Sequence, residues 1–386
     1  MDEIRDNIQA EAKDAWFKAD CVGTLAMGTG TGKSKVAIDI VSQLVKAHEE
    51  NTLGVVPYKV MLVTPTIILH DHNWRLEFLK FNALAIYEKL ERVCYVSLPK
   101  YNPDDYDLII FDEYHHISEK GFEEFSSKIQ PNKTKILGLT ATPPKRGDRK
   151  SRFEEVCPVI YSYSIAEAAG TIVNDFHITV IKVPLDKVIK NVKGGSKAKP
   201  FYTTEQGTYD YYTKLVDQAK FNNDKDGLMW QSLARKRVLD TLPSRVAYAK
   251  KIIEAELEGF KSIIFAPSIT QAEQVCVNTF HSKVDDQGIQ AFIAGTIDRI
   301  SAVNKADEGL TLGKVEKALI MKLNSTDKTM VQRIGRVCRN SMDKISEVYV
   351  LVYENTVEDG YLREALSSID AGKVAYKTID NYIRTN

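Results

Sequence analysis

Short apolar runs alternate along this chain with longer stretches of helical periodicity. VGTLAM (22–27) is one such run, and KSKVAIDIVSQLVKAHE (33–49) follows with apolar residues at 36, 37, 40, 41, 44 and 45, the spacing of one helix face. KVMLVTPT (59–66), DLIIFDE (107–113) and KILGLTATP (135–143) are further strand-like runs, each closing on polar residues. A second series begins at FHITVIKVPL (176–185) and continues through the helix-like SRVAYAKKIIEAELE (244–258) to KSIIFAPS (261–268), KALIMKL (317–323) and SEVYVLVYE (346–354). Strands alternating with helices predict an α/β fold with mainly parallel sheets flanked by helices. EAAGTIVND (167–175) reads as the hinge between the two series, giving domains 1–170 and 171–386. Residues 186–243 break the alternation. They open on a Lys-rich stretch containing Gly194-Gly195 and go on as helix-like, aromatic-rich sequence, which reads as an insertion early in the second domain.

Composition adds exclusions. A chain of 386 residues is too long for one ordinary core, and 44% hydrophobic with 27% charged residues is a globular profile. No run approaches the ~20 apolar residues of a membrane span. The N-terminus, MDEIRDNIQAEAKDAW, has the mixed charge of a helix and not the pattern of a signal peptide. The five cysteines, at 21, 94, 157, 276 and 338, form no CxxC pair, which argues against structural zinc and a disulfide framework and suits a reducing cytoplasm. Lys+Arg and Asp+Glu both number 52, so an anionic partner must be sought in local patches.

Two clusters carry chemistry. GTGTGKS (28–34) lies between a predicted strand and a predicted helix, where glycines let backbone N–H groups wrap phosphate oxygens and the helix N-terminus adds positive charge. Gly28, Thr29, Gly30, Thr31 and Gly32 would form the loop, Lys33 would reach the β/γ-phosphates of ATP, and the Ser34 hydroxyl would ligate magnesium. The GxxxxGK[ST] template asks for glycine at position 27, where this chain has Met27, so the shape of the first turn departs from it. A glycine-rich turn with an incidental Lys-Ser is the plain alternative, and the flanking elements weigh against it. FDEYHH (111–116) follows the apolar LII. Asp112 would hold magnesium, and Glu113 would orient and deprotonate an attacking water. Zinc is the rival reading of this stretch. Strand alternation would send Asp112 and Tyr114 one way and Glu113 and His115 the other, splitting the ligands, and HExxH is absent. His116 reads as a surface or packing residue.

With GTGTGKS and DEYH both present, the chain resembles superfamily 2 helicases of the DExH type. Val63-Thr64-Pro65-Thr66 looks like motif Ia, Thr140-Ala141-Thr142-Pro143 like motif III, Glu308-Gly309-Leu310-Thr311 like motif V, and Gln332-Arg333-Ile334-Gly335-Arg336-Val337-Cys338-Arg339 like QRxGRxxR of motif VI. Thr311 stands where many relatives carry Asp. Gln9 is placed like the adenine-reading glutamine of the Q motif. The resemblance implies two tandem RecA-like domains with ATP between them. It assigns Gln332, Arg336 and Arg339 to catalysis, the two arginines reaching the γ-phosphate from the second domain. It also implies that His115, Thr140 and Thr142 couple ATP state to strand movement; for His115 a purely structural role stays equally open. A solvated basic helix is the plain alternative for QRIGRVCR. The compact chain is further similar to the phage-type, branched-DNA-remodelling group.

The resemblance implies a nucleic-acid partner, with DNA favoured, single-stranded or branched, and a monomeric protein without a membrane role. Thr64, Pro65 and Thr66 in the first domain, and Ser268, His281, Lys283 and Gly309 in the second, are candidates for phosphate contact. Each Ser or Thr among them is as readily a cap or turn residue. LDKVIKNVKGGSKAKPFY (185–202), with lysines at 187, 190, 193, 197 and 199, suggests a basic, partly mobile hairpin closed by Gly194-Gly195, against the plain reading of a solvated loop. Three activities stay open: a helicase on forked or branched DNA, a duplex-DNA translocase or annealing motor serving a recombination or restriction complex, and an RNA helicase. A non-catalytic phosphate-loop scaffold is disfavoured because Lys33, Ser34, Asp112, Glu113, Arg336 and Arg339 are all present.

Overall fold

A computed structural model describes residues 2–52, 57–67, 69–114, 119–129, 133–143, 151, 154–195, 199–303, 312, 314–323, 330, 333–335, 337, 345–367 and 369–382. The chain forms two compact units, Met1–Val173 and Asn174–Asn386.

The first unit is a six-stranded parallel sheet. In chain order its strands are β1 (Val22–Met27), β2 (Val60–Thr64), β3 (Glu91–Cys94), β4 (Leu108–Asp112), β5 (Lys135–Thr140) and β6 (Val159–Tyr163), arranged β3-β2-β4-β5-β1-β6. β1, β2, β4 and β5 are almost wholly buried, which is why they read as continuous apolar runs rather than alternating ones. Helix α1 (Asp2–Lys18) is anchored by Trp16, fully buried, whose indole donates to the Ile136 carbonyl at 3.0 Å. Helix α2 (Lys33–Thr52) follows the turn after β1 and buries Val36, Ala37, Ile40 and Val41, the face its periodicity marks. Register places the functional strand ends side by side: Asp112 pairs with Leu139, and Ala26 with Thr140.

The second unit holds a seven-stranded parallel sheet. Its strands are β7 (Phe176–Val183), β10 (Ser262–Phe265), β11 (Thr279–Phe280), β12 (Arg299–Ala302), β13 (Lys317–Ile320), β14 (Ser346–Tyr353) and β15 (Val374–Thr378), in the order β11-β12-β10-β13-β14-β7-β15. Between β7 and β10 run an antiparallel ribbon, β8 (Val192–Gly195) with β9 (Pro200–Thr203), and two helices, Glu205–Phe221 and Lys225–Thr241. These helices are not an appendage. Tyr209, Leu239 and Leu242 share one buried cluster with Ile181, Val183, Leu319 and Leu351 of the sheet. Two RecA-like domains are thus the fold of this chain.

Three local expectations change. β4 ends at Asp112, and Glu113 sits in the turn with φ of 48°, so strand alternation does not decide where Glu113 points. Gly194 and Gly195 do not close the hairpin, because both lie in β8 and pair with Phe201 and Pro200. Gly195 has φ of 82°, and a Cβ there would lie 2.3 Å from the Lys199 carbonyl oxygen. The Lys-rich stretch is also tied down at its base. Asp186 caps the N–H groups of Val188 and Ile189 at 2.7 and 2.9 Å, and the fully buried Glu205 accepts from the Asp186 N–H at 3.3 Å.

Candidate ATP and nucleic-acid site

The loop after β1 is shaped by its glycines. Gly30 and Gly32 have φ of 88° and 99°, which L side chains rarely adopt. Met27 is the last residue of β1 and is fully buried, so the position where the template asks for glycine is here a core residue. The close approach has moved to Gly28. A Cβ there would lie 2.7 Å from the Ile165 nitrogen, and the Gly28 N–H donates to the Tyr163 carbonyl at 2.7 Å. Thr31, fully buried, donates from its hydroxyl to the Gly28 carbonyl at 2.7 Å, and the Thr29 side chain is also buried. Lys33 and Ser34 open α2, and the Lys33 ammonium donates to the Met27 carbonyl at 2.8 Å. Gln9 comes in from α1 and donates to the Thr31 carbonyl at 3.2 Å. A Cβ on Gly32 would come within 2.0 Å of its amide nitrogen. Gln9 is therefore built against the loop and is not a merely solvated helix residue.

The acid pair ends β4, two strands along the sheet from β1, a lateral offset of about 10 Å. The Asp112 carboxylate accepts from the indole N–H of Trp74 at 2.8 Å, and the Tyr95 hydroxyl donates to the Asp112 carbonyl at 2.8 Å. Burial, followed by the adjacent Glu113 carboxylate, pushes the Asp112 pKa up to about 7, while Trp74 and Lys33 act in the opposite direction. Glu113 holds a left-handed backbone, which costs a non-glycine residue on the order of 1–3 kcal/mol. Between these strands, β5 brings Thr140 and Thr142. The Thr142 N–H donates to the Thr140 hydroxyl at 3.1 Å, and the Thr142 hydroxyl is buried without a hydrogen-bond partner among the described residues. Hard carboxylate and hydroxyl oxygens, an Asp112 carboxylate whose charge burial opposes, and the orphaned Thr142 hydroxyl together fit a magnesium ion with its water shell. Ser34 and Asp112 are the residues that would hold it. Among the described residues no group of three or more His, Cys, Asp or Glu could bind a metal by itself.

The other predicted residues divide. Thr64 is fully buried and spends its hydroxyl on the Thr66 carbonyl at 2.9 Å. It orders the turn instead of offering its own oxygen. Pro65 is half-buried; Thr66 is exposed, and its hydroxyl accepts from the Leu69 N–H at 3.4 Å. Ser268 is a helix N-cap that accepts from Gln271 at 3.3 Å, and His281 is 2% exposed. Burial removes the His281 ring from any strand on the surface, whereas Lys283 is exposed. Arg333, 2% exposed, donates to the Lys322 carbonyl at 3.0 Å and lies 4.8 Å from the Phe265 ring centre. With Ile334 and Val337 also buried, this part of QRIGRVCR is core and not a solvated helix. His115, His116, Gly309, Gln332, Arg336 and Arg339 lie outside the described residues. Sequence reasoning missed Trp74 and Tyr95, because nothing in LHDHNW or YVSLPK marks a partner so far along the chain.

A phosphate loop and an acid pair thus stand at the ends of β1 and β4 of one RecA-like sheet, with β5 between them. Residues 2–145 match the family described as type III restriction enzyme, res subunit. Over 389 residues, 92% of this chain and 83% of the relative, the sequence is 26% identical to a DNA 3'-5' translocase, XPB2, of Sulfurisphaera tokodaii. Among solved structures, an ATP-dependent type ISP restriction-modification enzyme, LlaBIII, bound to DNA superposes with a TM-score of 0.59 at 15% identity. It covers 96% of this chain but only 31% of the enzyme. S. cerevisiae Dbp5 bound to RNA and ADP BeF3 gives 0.57 at 11% identity, with 98% and 90% covered. The two structural likenesses speak for the fold alone. No helix among the described residues is long and apolar enough to cross a membrane.

Proposed function

We propose that the chain is an ATP-dependent DNA helicase or translocase. The observation that carries this reading is the Gly28–Ser34 phosphate loop with Gln9 against it, on a sheet edge shared with Asp112 and Glu113. The preference for DNA is supported by the DNA translocase relative. The protein does little covalent work in phosphoryl transfer and acts by placing charge and orienting water. Loop N–H groups and the Lys33 ammonium hold the triphosphate. Ser34 and Asp112 position magnesium, which when bound neutralises phosphate charge. Glu113 takes the proton from the attacking water, and its fixed turn keeps the carboxylate aimed. Arg336 and Arg339 add positive charge at the γ-phosphate, and Gln332 acts beside them. Thr140, Thr142 and His115 pass the nucleotide state to the strand contacts, which Thr66 and Lys283 make with phosphates. The finer reading is action on forked or branched DNA by a monomer, and the domains proposed for this work are 1–170 and 171–386.

The test is ATP hydrolysis by the whole chain with single-stranded, duplex and forked DNA and with RNA, at two salt concentrations. DNA should stimulate turnover, less so at high salt, and Glu113→Gln should keep nucleotide affinity while abolishing turnover. Turnover indifferent to every nucleic acid would end this reading. Stimulation by RNA alone would replace DNA as the partner.

A further inference from the structure

The ribbon between β7 and the inserted helices is unusual in what it exposes. Phe201 and Tyr202 are 57% and 61% exposed, and Val188 and Ile189 are 84% and 59% exposed in the approach to it. An exposed aromatic pair on a two-stranded ribbon gains little for stability. The ribbon is nonetheless a built element: its four pairs run from Val192↔Thr203 to Gly195↔Pro200, and Val192 packs against the core of the second unit. Because side chains alternate along a strand, Tyr202 shares a face with its partner Lys193. Phe201 lies on the other face, its ring close over Gly194, where an added Cβ would come within 2.8 Å. Each face thus presents one aromatic ring.

Charge selects the occupant. Over 186–203 the sequence has lysines at 187, 190, 193, 197 and 199 and one acid, Asp186, in a chain whose net charge is zero. That acid is occupied as a cap. The helical pair beyond also exposes Tyr211, Trp230 and Phe221, but over 205–241 six Lys and Arg meet six Asp and Glu, so no polyanion is selected there. The ribbon leaves the carboxyl end of β7, the sheet edge that also carries Ser268 after β10. β10 and β7 are three strands apart, about 14 Å, so an extended strand crossing that edge could meet the ribbon.

Resting on the proposed function, we propose that the β8–β9 ribbon is a stacking contact for single-stranded DNA, in which Tyr202 and Phe201 each receive a base and Lys190 and Lys193 neutralise phosphates. Stacking on aromatic rings is sequence-tolerant, and phosphate pairing makes binding salt-dependent. The two contributions separate experimentally. With fluorescently labelled oligonucleotides and the whole chain, Tyr202→Ala should weaken single-strand affinity about tenfold while leaving the salt slope unchanged. Tyr202→Phe, which keeps the ring, should restore affinity. Lys190→Gln with Lys193→Gln should reduce the slope of log affinity against log salt by about 0.7 for each phosphate that is no longer neutralised. Blunt duplex DNA offers no free base face, so its affinity should not respond to Tyr202→Ala. Phe201→Ala should act as Tyr202→Ala does; a lowered melting temperature would trace its effect to the Gly194 packing, and Tyr202 would then decide the matter. If the wild-type chain binds DNA and both Tyr202→Ala and the lysine pair leave affinity and slope unchanged, the ribbon proposal is overturned. Equal losses on duplex and single strand would also overturn it. A wild-type chain that binds no nucleic acid would instead overturn the functional reading on which it rests.

Discussion

Restoring the template glycine, Met27→Gly, should damage this protein and leave its phosphate loop no better. Met27 is fully buried at the end of β1. Removing a buried methionine side chain costs about 2–5 kcal/mol through lost burial and a residual cavity, and glycine in a strand adds about 0.5–1 kcal/mol of backbone entropy. The expected loss is about 3–6 kcal/mol of first-unit stability, a large share of what a domain has. Nucleotide affinity at a temperature where the variant is folded should be unchanged, because Lys33 bonds the backbone carbonyl at this position, which glycine keeps. The reciprocal change, Gly28→Ala, should instead weaken nucleotide binding. Its Cβ would meet backbone atoms of Ser164 and Ile165 at 2.7–3.1 Å. These atoms cannot give easily, because the Ser164–Glu167 capping box fixes the turn. Overpacking of this kind costs about 1–3 kcal/mol, and the displacement falls on the loop, so nucleotide affinity should drop about tenfold or more. Thermal melting and titration with a fluorescent ATP analogue measure both quantities. If Met27→Gly tightens nucleotide binding, or if Gly28→Ala leaves it unchanged, the placing of the close approach at Gly28 is wrong.

Two further expectations concern the second unit. Arg245, fully buried, donates to Glu358 at 2.6 Å and to the carbonyls of Leu239 and Met321, and its guanidinium lies 4.5 Å from the Tyr353 ring centre. Arg245→Met strands a buried carboxylate and should cost about 3–5 kcal/mol, whereas Arg245→Met with Glu358→Gln should recover much of it in urea unfolding; a double variant as unstable as the single would show the charge pair is not the cause. Burial alone would raise the Glu256 pKa, but hydrogen bonds from Lys377, Tyr349 and Tyr382 outweigh it and hold the carboxyl below its usual value. The stability it gives is present above the unfolded pKa and is lost as pH falls through the folded one; Glu256→Gln should flatten that part of the acid melting curve, and an unaltered curve would refute the linkage.

How much of this was legible in the sequence depends on how local each feature is. Helix α2, the buried strands and the phosphate loop follow from periodicity and glycine placement over a few residues, and the chain wrote them plainly. The end of β4 was less legible: the apolar run marks the strand, but nothing local announces that Glu113 turns into a left-handed backbone just after Asp112. Gln9 on Thr31, Trp74 on Asp112 and Arg245 on Glu358 join residues 22, 38 and 113 positions apart. Only the order of the strands and the packing of helices upon them bring those pairs together. The same order decided that His281 is core, that Thr64 spends its hydroxyl on its own turn, and that Tyr202 stands in solvent beside Lys193. Local chemistry fixes which elements form. Which side chains are buried, paired or left facing water is settled only when sheets assemble, because burial and hydrogen bonding belong to the neighbours a residue acquires there.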